Sequence, residues 1–137
     1  MEKRYGFKSL DLIDDMQEMN PALLIVLSYV ATFLNAKGIQ PTLTRIIDKK
    51  IQGFSISNTH EEGRAFDMSV RNIDEKTIKE LCAHLNCSLE CIGAISPDGV
   101  PRVAIYEDGI SRGTFAHIHY QCRRDAESII LKSELRS

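Results

Sequence analysis

The uncharged stretch at residues 19–36 constrains the fold of this chain more than any other feature. Its central part, residues 23–27, is continuously apolar, and the whole stretch approaches the length of a membrane span. It also contains Asn20, Pro21 and Asn35 together with several hydroxyl side chains, which favours a protein core over a bilayer. The sequence therefore predicts a buried core helix and no membrane span.

The rest of the composition is that of one soluble globular domain. The chain has 137 residues, of which 43% are hydrophobic and 26% are charged, with a net charge of -2. A chain of this length buries a core without needing cross-links. Because there is no basic surplus, nucleic acid and membrane surfaces are disfavoured as partners. We interpret residues 1–137 as a single domain.

The N-terminus and the cysteines indicate a reducing compartment. Residues 1–15 mix both charge signs and lack the apolar core of a signal peptide, so we expect synthesis in the cytoplasm and reduced thiols. The cluster of Cys82, His84, Cys87 and Cys91 does not follow the spacing of paired zinc knuckles. We interpret it as core thiols, because Cys82 falls on the apolar face of a predicted helix.

Capping signals predict the helices. Ser9 is expected to cap a short helix over residues 10–18. The Asn-Pro pair at residues 20–21 starts a helix over residues 21–37, which Gly38 stops. Asp74 caps a further helix that runs to about residue 85, and residues 124–135 are a closing helix or a frayed tail.

Alternating and β-branched segments predict the strands. The expected strands are residues 42–47, 54–57 (within a loop over 49–59), 65–70, 91–96, 102–107 and 116–122. Strands and helices interleave without the regular spacing of βαβ units. We therefore predict an α+β fold with a mainly antiparallel sheet flanked by helices.

Two short motifs bring histidines and a carboxylate onto strands. The first, HEEGRAFD, runs from His60 to Asp67, and its Gly63 permits a tight bend before the strand. The second is the string HIH, in which His117 and His119 project to the same side because strand side chains alternate. Asp67 lies on the polar side of its own strand, so two imidazoles and one carboxylate can converge.

Two imidazoles and one carboxylate suit a catalytic zinc ion. Such an ion takes three protein ligands and keeps one position for water, whose pKa it lowers to about 7. It also polarises a peptide carbonyl. Each motif is weak alone, since an HxH string arises by chance in many strands. At this stage a metal site and ordinary surface or core histidines both remain open.

The combined pattern resembles that of the D-Ala-D-Ala metallopeptidases. This group includes D-Ala-D-Ala carboxypeptidases and dipeptidases, phage endolysin peptidases, MepA-type endopeptidases and the hedgehog signalling domain. Their pattern SxHxxGxAxD stands here as NTHEEGRAFD at residues 58–67, and the later HxH stands within FAHIHY at residues 115–120. The strings GRAxD and AHIH are especially similar to hedgehog. The resemblance covers roughly residues 23–121 and implies a hedgehog/DD-peptidase-like fold.

The resemblance also implies roles for individual residues. His60, Asp67 and His119 match the ligands of Zn²⁺. His117 matches a histidine beside the metal's water, which implies an acid–base or transition-state role. Arg45 matches an upstream arginine that holds substrate or the developing oxyanion. Its alternative role is that of a surface arginine at a strand end.

The general base departs from the family pattern. Peptidases of this fold carry Glu or Asp three residues before the last ligand, where this chain has Ala116. Hedgehog carries Glu six residues before it, where this chain has Gly113. Glu107 supplies the carboxylate if an inserted loop follows it. Glu61 and Glu62 are expected to be solvent-facing turn residues.

These matches imply a zinc-dependent peptidase that hydrolyses amide bonds in bacterial cell-wall peptides, as a carboxypeptidase or an endopeptidase. The lack of a recognisable signal would suit a phage lysis or virion-associated enzyme that reaches peptidoglycan with help. The alternative is a hedgehog-like, non-catalytic zinc-binding interaction module. A third hypothesis is a structural protein that binds no metal. The sequence leaves the cleaved bond and the oligomeric state open.

Overall fold

The computed structural model describes residues 5–46, 62–110 and 115–129. The described strands are β1 (Gly6–Phe7), β2 (Thr42–Arg45), β3 (Ala65–Ser69), β4 (Ala94–Ile95), β5 (Pro101–Arg102), β6 (Ala104–Glu107) and β7 (His117–Gln121). Five of them form a mixed sheet in the order β1-β2-β3-β7-β6, and β4 pairs with β5 separately. Among these described pairs only β1–β2 is parallel. The predicted α+β class with a mainly antiparallel sheet is confirmed.

The described helices are α1 (Asp11–Gln17), α2 (Ala22–Asn35) and α3 (Glu75–Ser88). Helix α2 buries a stripe at helical spacing, which consists of Ala22, Leu23, Val26, Leu27, Val30, Ala31 and Leu34. The uncharged stretch is therefore the core helix that the sequence predicts. Within the described ranges, no helix combines the length and apolar content needed to cross a membrane.

Two of the three predicted helix start signals form hydrogen bonds to the first turn of their helices. The side chain of Asn20 accepts a hydrogen bond from the backbone N–H of Ala22 at 3.0 Å, and that of Asp74 accepts one from Thr77 at 3.4 Å. Gly38, with φ of +75°, lies beyond the end of α2. The prediction that Ser9 caps α1 is wrong. Leu10 is the cap residue and no side chain caps the helix. The reason is that α1 begins at Asp11, one residue after the predicted start, so the cap position falls on an apolar side chain that has no acceptor.

Strict alternation in β3 and β7 builds the core side of the sheet. The core-facing side chains are fully buried and comprise Phe66, Met68, Ile118 and Tyr120. The rings of Phe66 and Tyr120 stack with their centroids 4.8 Å apart. Helices α2 and α3 pack against this side of the sheet and exclude water from it. Burial of a large apolar side chain such as Phe66 therefore contributes about 1.5–3 kcal/mol to the free energy of folding.

The two strands predicted at residues 91–96 and 102–107 are shorter and divided. A 3₁₀ turn at Glu90–Ile92 precedes β4, and the second strand splits into β5 and β6. Asn86 of α3 explains the split. Its side-chain carbonyl accepts from the backbone N–H groups of Val103 at 2.7 Å and Ala104 at 2.9 Å, and its amide donates to the Ala104 carbonyl at 2.9 Å. This anchorage separates β6 from the hairpin and leaves β6 in the main sheet.

The core-thiol prediction holds for only part of the cysteine cluster. Cys82 is half-buried against the core, and burial raises its pKa to about 11. Cys87 and Cys91 are exposed, which contradicts the prediction. For Cys87 the reason is helical geometry, because Leu85 faces the core and a residue two positions further along a helix points away from it. Cys91 lies beyond α3, in the 3₁₀ turn at Glu90–Ile92, where Ile92 is the buried residue. Cys122, outside the cluster, is buried.

Some predicted elements lie outside the described residues. These are the loop at 49–59 with its strand at 54–57, and the far part of the C-terminal segment. The near part of that segment is helical at residues 126–129.

At Gly63, in the turn before β3, the backbone packs directly against the link between α1 and α2. Its φ is +69°, and a Cβ built there would lie 2.5 Å from the carbonyl oxygen of Glu18. The Gly63 carbonyl also accepts a hydrogen bond of 2.7 Å from the Asn20 backbone. The tight bend that the sequence predicts at this glycine is therefore also a close backbone approach.

We predict that Gly63→Ala lowers the free energy of unfolding by about 2–5 kcal/mol, because left-handed backbone strain and a steric clash add together. Gly99→Ala is the matched control, since Gly99 has a φ of +82° but nothing within 4 Å of a built Cβ. The control should lose only the backbone part, about 1–2 kcal/mol. Urea unfolding of both variants measures the difference, and equal losses would contradict the clash.

Candidate metal centre

The polar face of the sheet collects the residues of both motifs. In the antiparallel pairing of β3 with β7, Asp67 lies opposite His119 and Ser69 lies opposite His117. Because side chains two positions apart on a strand share a side, these four residues face away from the helices. The alternation that buries the aromatic core therefore also assembles the polar group.

Asp67 and His119 are in direct contact. The Oδ1 atom of Asp67 lies 2.9 Å from the Nδ1 atom of His119. Asp67 is 5% exposed and His119 is 9% exposed. A carboxylate removed from water to this extent needs a cation or a hydrogen-bond donor beside it. This pair is the most deeply buried ionisable contact on the polar face among the described residues.

The second oxygen of Asp67 faces two further predicted site residues. Its Oδ2 atom lies 3.9 Å from a guanidinium nitrogen of Arg45 and 3.9 Å from Nε2 of His117. Arg45 is the last residue of β2 and pairs with Asp67 in the register of β2 and β3. Its side chain is 37% exposed, so the guanidinium reaches both the carboxylate and solvent.

Glu107 contacts His117 across neighbouring strands. It ends β6 directly opposite His117, and its Oε2 atom lies 3.1 Å from Nε2 of that histidine. The other ring nitrogen of His117, Nδ1, lies 2.9 Å from the backbone carbonyl of Phe115. The structure thus places the Glu107 carboxylate beside the first histidine of the HxH string, whereas position 116 holds an alanine.

Gln121 is a site neighbour that no motif singles out. Its side-chain oxygen lies 3.1 Å from Nε2 of His119. Its side-chain nitrogen donates to the backbone carbonyls of Arg102 at 3.1 Å and Ala94 at 3.4 Å. The signal for it is the same alternation that pairs His117 with His119, extended by two more residues. Gln121 therefore links the polar group to the β4–β5 hairpin.

Glu62 is exposed, as the sequence predicts, but it forms ion pairs. Its carboxylate accepts hydrogen bonds from Arg124 at 2.6 and 3.0 Å and from Arg64 at 2.6 Å. The bond from Arg124 is the main cause that lowers the pKa of Glu62 to about 2, with Arg64 adding to it. Glu62 therefore fastens the turn before β3 to the C-terminal segment.

The described residues supply two of the three predicted zinc ligands. His60 lies outside residues 5–46, 62–110 and 115–129, as do Glu61 and Gly113. Within those ranges no group of three or more His, Cys, Asp or Glu side chains is arranged to hold a metal ion. Zinc bonds to imidazole nitrogen and carboxylate oxygen are about 2.0–2.2 Å long, so atoms 2.9 Å apart can both reach one ion. The Asp67–His119 pair fits zinc in this respect.

Comparison with known proteins identifies no relative. No protein-family model, curated protein or solved structure matches the chain. The likeness to D-Ala-D-Ala metallopeptidases therefore rests on the motifs at residues 58–67 and 115–120.

We predict a pH-dependent effect of Glu62→Gln. At neutral pH the variant should lose roughly 1 kcal/mol or less of unfolding free energy, because the ion pairs are largely exposed. The folded-state pKa of about 2 is below the ordinary 4.5, so the stabilisation is present above 4.5 and disappears as the pH falls to 2. Urea unfolding from pH 7 to pH 2 tests this. A difference that is unchanged at pH 2 would show that the glutamate charge is not its source.

Proposed function

We propose that this chain is a zinc-dependent peptidase that hydrolyses amide bonds in bacterial cell-wall peptides and has a hedgehog/DD-peptidase-like fold. The observation that carries the proposal is that two histidine–carboxylate contacts lie side by side on one face of the sheet. Asp67 touches His119 at 2.9 Å, and Glu107 touches His117 at 3.1 Å. One pair has the chemistry of metal ligands, and the adjacent pair has the chemistry of a proton carrier.

Asp67 and His119 would hold the zinc ion, with His60 as the third ligand. Zinc supplies a Lewis acid for a peptide carbonyl and lowers the pKa of a bound water. The burial of Asp67 and His119 supports this role, because a buried carboxylate and imidazole form a compact, water-poor donor set. Their positions on paired strands keep the two donor atoms at a fixed separation.

His117 and Glu107 would manage the proton. The contact between His117 Nε2 and Glu107 Oε2 gives a histidine–carboxylate pair that can accept a proton from water and return it to a leaving amine. Both side chains are partly exposed, so they can reach a bound peptide. Glu107 thereby fills the role that an acidic residue at position 116 would serve in the related peptidases.

Arg45 would hold the substrate or stabilise the developing oxyanion. Its guanidinium lies at the edge of the polar group, close to Asp67 but still partly in solvent. A cation placed there favours negative charge that appears on the carbonyl oxygen only in the transition state.

Cell-wall peptides containing D-amino acids are proposed as substrates on the strength of the motif resemblance. The same resemblance covers carboxypeptidases and endopeptidases and suits a phage lysis or virion-associated enzyme. The alternative function is a non-catalytic zinc-binding interaction module. Ala116 favours that alternative, because it stands where the peptidases of this fold carry their acid.

We predict that the full-length chain, purified without a histidine tag, contains about one zinc ion per chain. Asp67→Ala and His119→Ala should each remove most of it, because each deletes a ligand. His84→Ala is the matched control. His84 is exposed on α3 and its ring stacks on Phe33 with centroids 5.8 Å apart, away from the polar face. Atomic absorption gives the zinc content. A wild-type chain without zinc would favour a metal-free structural protein.

We predict that the zinc-loaded chain releases new amino termini from purified peptidoglycan. Glu107→Gln should keep its zinc and lose about 10²–10⁴-fold in kcat/KM, because it removes proton transfer alone. His119→Ala should lose both zinc and activity, and His84→Ala should keep both. Stoichiometric zinc without cleavage of any wall fragment, together with a lower melting temperature after chelation, would instead support the interaction module.

A further inference from the structure

We infer that Gln121 is a positioning residue that decides which ring nitrogen of His119 carries a proton, leaving the Nδ1 atom to the metal. The inference deepens the proposed function and rests on it, because it concerns how His119 presents itself to zinc.

The orientation of the Gln121 amide follows from its neighbours. One end of the amide lies 3.1 Å from the carbonyl oxygen of Arg102 and 3.4 Å from that of Ala94. Backbone carbonyls only accept hydrogen bonds, so this end must be the NH₂ group, with one hydrogen for each carbonyl. The amide oxygen is then the end that faces His119.

The position of the amide oxygen determines which ring nitrogen of His119 carries a hydrogen. That oxygen lies 3.1 Å from Nε2 of His119 and can only accept, so Nε2 must carry a hydrogen. In the neutral imidazole the lone pair is then on Nδ1, which lies 2.9 Å from Oδ1 of Asp67. Two acceptor atoms this close repel unless a positive charge lies between them, and in the proposed site the zinc ion would supply that charge. Histidines that bind metals generally donate their other N–H to an acceptor, which fixes the ring. Gln121 is that acceptor here.

Burial strengthens the effect of the Gln121 amide on the His119 ring. Gln121 is 5% exposed and His119 is 9% exposed, so water is poorly placed to replace the amide. The residue opposite Gln121 on β3 is the small Ala65, which leaves the amide room to reach the hairpin. The carbonyls of β4 and β5 hold the amide, the amide holds the imidazole, and the imidazole faces Asp67.

A purely structural role for Gln121 is the competing explanation, since its amide also ties β7 to the hairpin. The backbone provides part of that tie without the side chain, because the Gln121 N–H donates to the Val103 carbonyl at 2.8 Å. Variants of the side chain are therefore expected to fold. Gln121→Met removes the acceptor at similar length. Gln121→Glu keeps an acceptor for His119 but cannot donate to both carbonyls.

The test measures zinc affinity of the full chain by competition with a chelator. Gln121→Met should bind zinc about 10–100-fold more weakly than wild type, and Gln121→Glu should stay within about threefold. Both variants should melt at lower temperature, since both lose hairpin hydrogen bonds. Equal affinity of Gln121→Met and wild type would overturn the inference. An equal loss in both variants would also overturn it, because only a structural role predicts that result.

A second readout does not require zinc. In the zinc-free chain labelled with ¹⁵N-histidine, the His119 Nε2–H signal should appear in wild type and Gln121→Glu and weaken in Gln121→Met. A wild-type Nε2 without a proton would overturn the inference. A wild-type chain that takes up no zinc would overturn the proposed function, and the ring-nitrogen signal would then still decide the role of Gln121.

Discussion

A buried carboxylate is the constraint on which this structure depends. Removing the Asp67 carboxylate from water costs several kcal/mol unless neighbouring groups compensate its charge. The neighbours come from both adjoining strands, with Arg45 on β2 and His119 on β7. Strand register is therefore strongly specified, because a slip of one residue would turn Asp67 into the apolar core and bring Met68 to the polar face. Compensation of the Asp67 charge and burial of the apolar core therefore require the same strand register.

Strands, not loops, carry the polar group. Asp67 is on β3, His117 and His119 are on β7, and Glu107 ends β6. Strands β3 and β7 are hydrogen-bonded to neighbouring strands on both sides, and β6 is hydrogen-bonded to β7. This pairing fixes distances between side chains more closely than a loop does. The same strands must also carry apolar side chains on their other side, which faces the core. The stacked rings of Phe66 and Tyr120 occupy these core-facing positions.

Local patterns in the sequence suffice for much of this fold. The start signals at Asn20 and Asp74 place α2 and α3, and the alternation around Asp67 and His119 places β3 and β7, because each signal acts within a few residues. Contacts that depend on which strands become neighbours are different. The order β3-β7-β6 brings Glu107 to His117, and no local signal encodes that order. The hydrogen bonds of Gln121 depend on the hairpin in the same way.

The anchorage by Asn86 has a consequence for self-association. Strand β6 is the outer strand at one end of the described sheet, and an open strand edge is a template on which another chain can add a strand. The Asn86 side chain accepts from the backbone N–H groups of Val103 and Ala104 and donates to the Ala104 carbonyl, where that edge begins. These three backbone groups are therefore already paired within the chain. A strand from a second molecule would have to displace the Asn86 amide to reach them.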